Sequence, residues 1–439
     1  MWLTSSTQAP GMSRTLERTV LTLAALFTAL EGYDLACYGV TVPSLLKDSS
    51  LGVSKAAAGT AGSLVAVGMM VGAALAAALI RRTGSRRLLI GGATLFSVGM
   101  LICTCAPSFV VFEAARLVVG IGLGIVLPTV TAYVAELSAP DRRSRNVGIM
   151  MSGYAGGALL APLLGAAVLP GNSWRFIYLI GAIPVLALVP LAVRLLPESP
   201  RAASKSPSPS RPGHELLGLR PLLARGTRAV TVLFWLMSFC GLLLVFGIST
   251  WLPTIMQASG YSLGASLLQT AVMWVGAGVG MVAGGRVGDK VGIKPVVVVA
   301  FLTGSVSLLA MSTNPAIGVL FMLMFFSGLG FIGSQGLLNA FIVTRYSDEL
   351  RGPGIGWALS VGRLGAIFGP TMGAWILSSG LGVHWNFYLF AVPGVLGAAL
   401  AALVPTGRQA PLKATVVPRP VRDDSIPLRI VTEWVESRR

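Results

Sequence analysis

The sequence predicts an all-α membrane protein of twelve transmembrane helices in two six-helix halves. Three observations carry that expectation. Of 439 residues, 54% are hydrophobic and only 11% charged, with a mean hydropathy of +0.78, whereas a soluble domain carries roughly a quarter charged residues. The apolar residues fall into long runs, each able to cross a hydrocarbon core of about 30 Å as a helix. The chain also repeats itself. A shift of 208 carries Gly84 onto Gly292, Gly120 onto Gly328, Gly122 onto Gly330 and Arg143 onto Arg351. The same shift carries Gly148 onto Gly356, Pro162 onto Pro370 and Gly165 onto Gly373.

Taken in order, residues 1–19 form a short leading segment without the compact pattern of a cleaved leader, so the first run is expected to stay as helix one. The first half, 20–195, holds runs at 20–46, 56–80, 88–105, 109–135, 146–169 and 174–195. Residues 196–228 read as a linker, because Pro197–Arg228 is rich in Pro, Ser and Arg. The second half, 229–405, holds runs at 229–256, 263–284, 294–314, 316–344, 354–380 and 385–405. The tail, 406–439, is polar and Pro-rich and offers no recognisable chemistry.

The net charge of +17 would suit nucleic acid if the basic residues were clustered on one surface. They lie instead in short loops after even-numbered runs: Arg81, Arg82, Arg86 and Arg87; Arg142, Arg143 and Arg145; Lys290 and Lys294; Arg345 and Arg351. Loops after odd-numbered runs carry almost none, with Lys47 and Lys55 the exceptions. That asymmetry places both termini in the cytoplasm and the chain in the inner membrane. Cys37, Cys103, Cys105 and Cys240 fall in apolar runs and read as small core residues, not as a disulfide set or metal site. No cofactor and no catalytic constellation is expected.

Charge inside a bilayer is costly, so each ionisable group there is a candidate for function. Counted at about 1.5 Å per residue, Asp34 in run 1 and Arg116 in run 4 reach similar depth, which makes an ion pair plausible. Glu31 shares the face of Asp34, and neighbouring carboxylates raise the proton affinity of one of them. Proton coupling and a static helix-joining pair both fit. Arg363 lies near mid-membrane with no acid of the second half available to it. It suits bidentate binding of a carboxylate, or packing against backbone carbonyls. Glu113 precedes Arg116 by three residues and reads as its interfacial partner, while Trp251 and Trp357 read as interfacial anchors. Tyr38, Tyr154 and Trp274 lie deeper and could line an aromatic pocket or simply pack. Gln335 and Asn339 share a helix face and need hydrogen-bond partners.

The segment Gly285-Arg-Val-Gly-Asp289-Lys290-Val-Gly292-Ile-Lys294 resembles the loop signature of the major facilitator superfamily, as do Arg116–Pro128 and Pro197-Glu198-Ser199-Pro200-Arg201. Within that superfamily, Leu30-Glu31-Gly32-Tyr33-Asp34, Ala135-Glu136 through Arg142-Arg143, and Gly356-Trp357 through Gly362-Arg363 resemble the aromatic acid:proton symporters. The resemblance implies uptake of hydroxybenzoate-like acids by alternating access, with protons and the acid as partners. By the same analogy Glu31 and Asp34 serve coupling, Arg116 serves coupling or substrate, and Arg363 serves substrate. Glu136, Arg142, Arg143, Gly285, Asp289, Lys290, Gly292 and Lys294 serve gating. Two positions depart from the pattern. Glu31 stands where Asp is usual, and Ala77 and Arg81 replace the Gly and acid that Gly285 and Asp289 supply in the second half.

Duplicated halves with charge at the midplane mark a secondary transporter, which acts as a monomer in the simplest case. An efflux antiporter on the same fold is the rival reading. Ala161-Pro162-Leu-Leu-Gly165 is a weak form of the motif of such pumps. A non-transporting membrane sensor is a further alternative.

Overall fold

The computed structural model describes residues 14–139, 142–198 and 219–405. The rest of the expected linker, the 406–439 tail, the Pro140–Asp141 part of the loop after run 4 and the side chain of Arg81 lie outside the described residues. Twelve long helices result: α1 (Arg14–Leu45), α2 (Lys55–Thr83), α3 (Ser85–Cys105), α4 (Phe109–Leu137), α5 (Arg143–Val168) and α6 (Arg175–Leu195), followed after one short turn at Leu219–Leu222 by α7 (Arg228–Ala258), α8 (Leu263–Val291), α9 (Ile293–Met311), α10 (Ile317–Arg345), α11 (Asp348–Ser378) and α12 (His384–Leu403). Side-chain oxygens of Ser54, Ser108 and Ser262 accept from the first-turn amides of Ala57, Val111 and Ala265, satisfying donors that α2, α4 and α8 leave free.

Where helices overrun the apolar runs, the extra turns are polar. α1 begins at Arg14 and not at residue 20, and α11 at Asp348 and not at residue 354. Hydropathy marks the span within hydrocarbon, whereas helical hydrogen bonding continues into the interface. Eleven of the twelve are long and apolar enough to cross a membrane by length and composition. The exception, α11, carries Arg363 together with Gly, Ser and Pro. It packs on α7 and on α2 of the other half, so much of it faces protein.

The internal repeat is written into the packing. A Cβ on Gly120 would fall on the Val65 backbone, and one on Gly328 on that of Met273. Gly68 meets Leu117 as Gly276 meets Phe325, and Gly72 meets Ile121 as Gly280 meets Leu329. In each case both partners shift by the same 208 positions. Small residues are what let backbones approach this closely. Gly84 (φ +79°) and Gly292 (φ +89°) join α2 to α3 and α8 to α9 in equivalent turns that an L side chain would strain.

The halves meet through α1 with α7, α2 with α11 and α5 with α8. The seal lies on the face opposite the termini. There Gly39 abuts Ser249, Gly62 abuts Pro370, and Gly165 comes against Leu267. Lys55 Nζ donates to the Leu377 carbonyl (2.8 Å), and Ser63 Oγ donates to the Ile367 carbonyl (2.6 Å) beside Thr371 Oγ1. On the termini face, contacts run within a half: Arg142 to Glu17 (3.7 Å), Arg86 to Glu198 (2.6 Å) and Lys294 Nζ to the Val404 carbonyl (2.7 Å). Trp251 is fully buried and its Nε1 donates to the Pro370 carbonyl at 2.7 Å, so it ties α7 to α11 and is no interfacial anchor.

Candidate functional site

α1 turns one face toward the midplane interface, and that face carries Glu31, Asp34 and Tyr38. Gly32 lets α1 press directly on the Tyr154 carbonyl of α5, a contact that any side chain would block. Asp34 and Arg116 form the pair that depth predicts: Arg116 Nη1 donates to Asp34 Oδ1 at 2.6 Å, with 0% and 2% of the side chains exposed. The Arg116 guanidinium also lies over the Tyr38 ring, 4.7 Å from its centre. Tyr38 in turn donates its hydroxyl to the Ala58 carbonyl of α2. Behind the pair, Phe112, Trp174 and Tyr178 pack edge to face, and Tyr178 shares a hydrogen bond with Thr41 (3.1 Å). This wall holds α1, α4 and α6 in register.

Glu31 is 2% exposed, and its Oε2 has no hydrogen-bond partner among the described residues. No salt bridge reaches it among the described residues; across the interface, Arg363 of α11 acts on it only through its field. Glu113 does not pair with Arg116, whose charge is taken by Asp34. Asp34 Oδ2 and Arg116 Nε also remain without partners.

A narrow cavity opens beside these groups. Glu31, Asp34, Tyr38, Arg116 and Tyr154 line it, together with Phe246 and Thr250 of α7. The last two were not singled out from sequence. A Phe and a Thr inside an apolar run give no signal until the partner helix is known. Four expected residues are not part of this lining: Arg363, Trp274, Gln335 and Asn339. Trp274 is buried in the core with its Nε1 unpartnered. Gln335 lies against Gly241 with both amide atoms unpartnered, and Asn339 Oδ1 is likewise unpartnered. Trp235 Nε1 and Ser238 Oγ of α7 extend the same unsatisfied polar set.

The expected gating residues sit on the termini face. Glu136 accepts from Ser85 Oγ at 3.4 Å, at the start of α3. Arg142 reaches Glu17, Arg143 is exposed, and Lys294 is tied to Val404. Asp289 and Lys290 are exposed, and a Cβ on Gly285 or Gly292 would meet nothing within 4 Å.

Two pseudo-equivalent six-helix halves enclosing buried charge define a multi-pass membrane carrier, not an enzyme. The chain belongs to the Major Facilitator Superfamily, whose pattern it matches over residues 24–284 and 263–434. It is 34% identical to the gentisate transporter of Corynebacterium glutamicum, over 91% of this chain and 93% of that one. It is 30% identical to the benzoate transport protein of Acinetobacter baylyi, over 88% and 89%. Its fold is similar to that of a D-xylose-proton symporter, with a TM-score of 0.75 and 22% identity over 89% of this chain and 98% of that one.

Proposed function

We propose that the protein imports a small aromatic carboxylate together with protons, by alternating access of the central site to the two membrane faces. The observation that carries this reading is the buried Asp34–Arg116 pair with Glu31 beside it, all lining one cavity between the halves. Relatives named for gentisate and benzoate transport support the substrate class. In this reading Glu31, Asp34 and Arg116 handle the proton and Arg363 binds the carboxylate. Tyr38 and Tyr154 flank the ring, while Gln335, Asn339 and Trp274 offer hydrogen bonds from the second half. In this reading the protein is an inner-membrane monomer, and the basic loops after even-numbered helices support cytoplasmic termini with the sealed face outward. Coupling is energetically apt, because an anion moving inward against an inside-negative potential costs about 2.3 kcal/mol per 100 mV and a proton cancels that term.

Counterflow in proteoliposomes, against gentisate, benzoate and 4-hydroxybenzoate with an internal pH dye, tests the reading. Uptake of at least one acid with internal acidification is expected. Acid movement that alkalinises the lumen, or binding without flux, would overturn it in favour of an antiporter or a sensor.

A further inference from the structure

The two halves share their helices but not their chemistry. Shifted by 208, the buried charges Glu31, Asp34 and Arg116 fall on Phe239, Leu242 and Met324 of the second half. In the reverse direction Trp235, Ser238 and Gln335 fall on Phe27, Leu30 and Leu127. Asn339 falls on Thr131, whose hydroxyl is spent on the Leu127 carbonyl of its own helix (2.8 Å). The first half holds charge where the second is apolar. The second holds neutral hydrogen-bonding groups at positions the first half leaves without them.

These four side chains lie on adjoining helices. Gln335 Oε1 sits directly over Gly241 of α7, and Ser238, one turn earlier on α7, places its Oγ over Gly362 of α11. Trp235, a further turn back, packs against Trp357 of α11 with ring centres 6.0 Å apart. Asn339 continues the Gln335 face of α10 by one turn. Trp235 Nε1, Ser238 Oγ, Gln335 Nε2 and Oε1, and Asn339 Oδ1 are all buried without a hydrogen-bond partner among the described residues. Such groups are costly to leave unpaired, so a set of them calls for a ligand group that both donates and accepts.

The set adjoins the cavity. Gly241, beneath Gln335, precedes the cavity-lining Phe246 by about 7.5 Å along α7. Gln335 matches Leu127, one turn beyond Leu123, which lines the cavity from α4. Both relations put the set on the side of the cavity away from the outer seal, at a separation comparable with the length of an aromatic acid.

Resting on the import reading above, we propose that this set reads a ring hydroxyl of the substrate, so that the protein selects hydroxylated aromatic acids over benzoate itself. A phenolic hydroxyl donates to Gln335 Oε1 or Asn339 Oδ1 and accepts from Gln335 Nε2 or Trp235 Nε1, whereas a carboxylate only accepts. Unsubstituted benzoate displaces water from the set and returns no hydrogen bond, the circumstance in which a polar pocket discriminates most sharply.

The test measures half-saturating concentrations for counterflow of labelled benzoate, 4-hydroxybenzoate and gentisate by the full-length protein in proteoliposomes. In wild type at least one hydroxylated acid should saturate at a concentration lower than benzoate by about tenfold or more. Gln335→Met and Asn339→Leu keep bulk and remove hydrogen bonds. Each should bring the ratio toward one by weakening the hydroxylated acid, with benzoate held within roughly twofold, because benzoate has no bond to lose. Equal saturation by all three acids in wild type overturns the hydroxyl reading even where the variants fail to fold, while acid import stands. A wild-type preference that both variants keep removes this set as the hydroxyl's seat, and equal weakening of every acid reduces it to helix packing. No wild-type movement of any of the three acids refutes the import reading and this one together.

Discussion

Asp34 and Arg116 stabilise each other in a place where neither is tolerated alone. Removing one partner of a buried pair costs about 3–5 kcal/mol, because the survivor keeps its desolvation penalty. Asp34→Asn should therefore lower thermal stability in detergent and abolish proton-driven accumulation. Asp34→Asn combined with Arg116→Gln should recover most of the stability and none of the accumulation. Equal melting of the single variant and wild type would mean that the pair is solvated in the membrane. Arg363 makes a different prediction. Lysine keeps the charge but not the two-pronged donor geometry, so Arg363→Lys should raise the apparent KM for carboxylates more than the affinity for neutral aromatic analogues falls. An unchanged KM for every acid would leave Arg363 a packing residue. The Asp34–Arg116 contact was legible from residue counting, because both helices belong to one half and their depths follow from helical rise. The lining that the second half adds to the cavity was not. It depends on how one half rotates against the other, and the repeat constrains only contacts inside each half. That lining is Phe246 and Thr250.

At the scale of the helix, the information lies in glycines whose partners are set by the repeat. Gly68 and Gly276 sit on the backbones of Leu117 and Phe325, whereas Gly285 faces open space. Overpacking a close interface costs typically about 1–3 kcal/mol. Gly68→Val and Gly276→Val should each lower the melting temperature by similar amounts, since they break equivalent contacts, and Gly285→Ala should leave it unchanged. Unequal loss in the two halves would indicate that one copy of the repeat has relaxed. The spans themselves were readable because lipid leaves helix as the simplest way to satisfy the backbone. Their ends were less so: the polar turns at Arg14 and Asp348 are helical outside the hydrocarbon. α11 is instructive in the same way. Its polarity weakens its hydropathy as a span, and the reason is its place against α7 and α2, where protein in part replaces lipid.

For the whole molecule, the decisive quantity is the balance between the two ways the halves can close. Here they are sealed on the face opposite the termini, where Lys55 crosses from α2 to the carbonyl at the end of α11 and Ser63 reaches Ile367. A cation at a helix C-terminus also meets the negative end of the helix dipole, typically about 0.3–1 kcal/mol at an exposed site. On the other face Asp289, the acid of the intact loop signature, is exposed and makes no ion pair among the described residues. The two groups should thus act as opposed latches, each engaged in one state only. Lys55→Gln should favour the outward-open state, and Asp289→Asn the inward-open one. Each contact is worth about 0–1 kcal/mol, enough to shift a balanced equilibrium several-fold. A cysteine placed at Thr250 on the cavity wall, with the native cysteines replaced, reads the result through membrane-impermeant labelling. Labelling from outside should rise several-fold in Lys55→Gln and fall in Asp289→Asn, and the double variant should return near the starting value. If Asp289→Asn leaves labelling unchanged while Lys55→Gln raises it, the second-half loop does not latch. Gating would then rest on the outer seal alone.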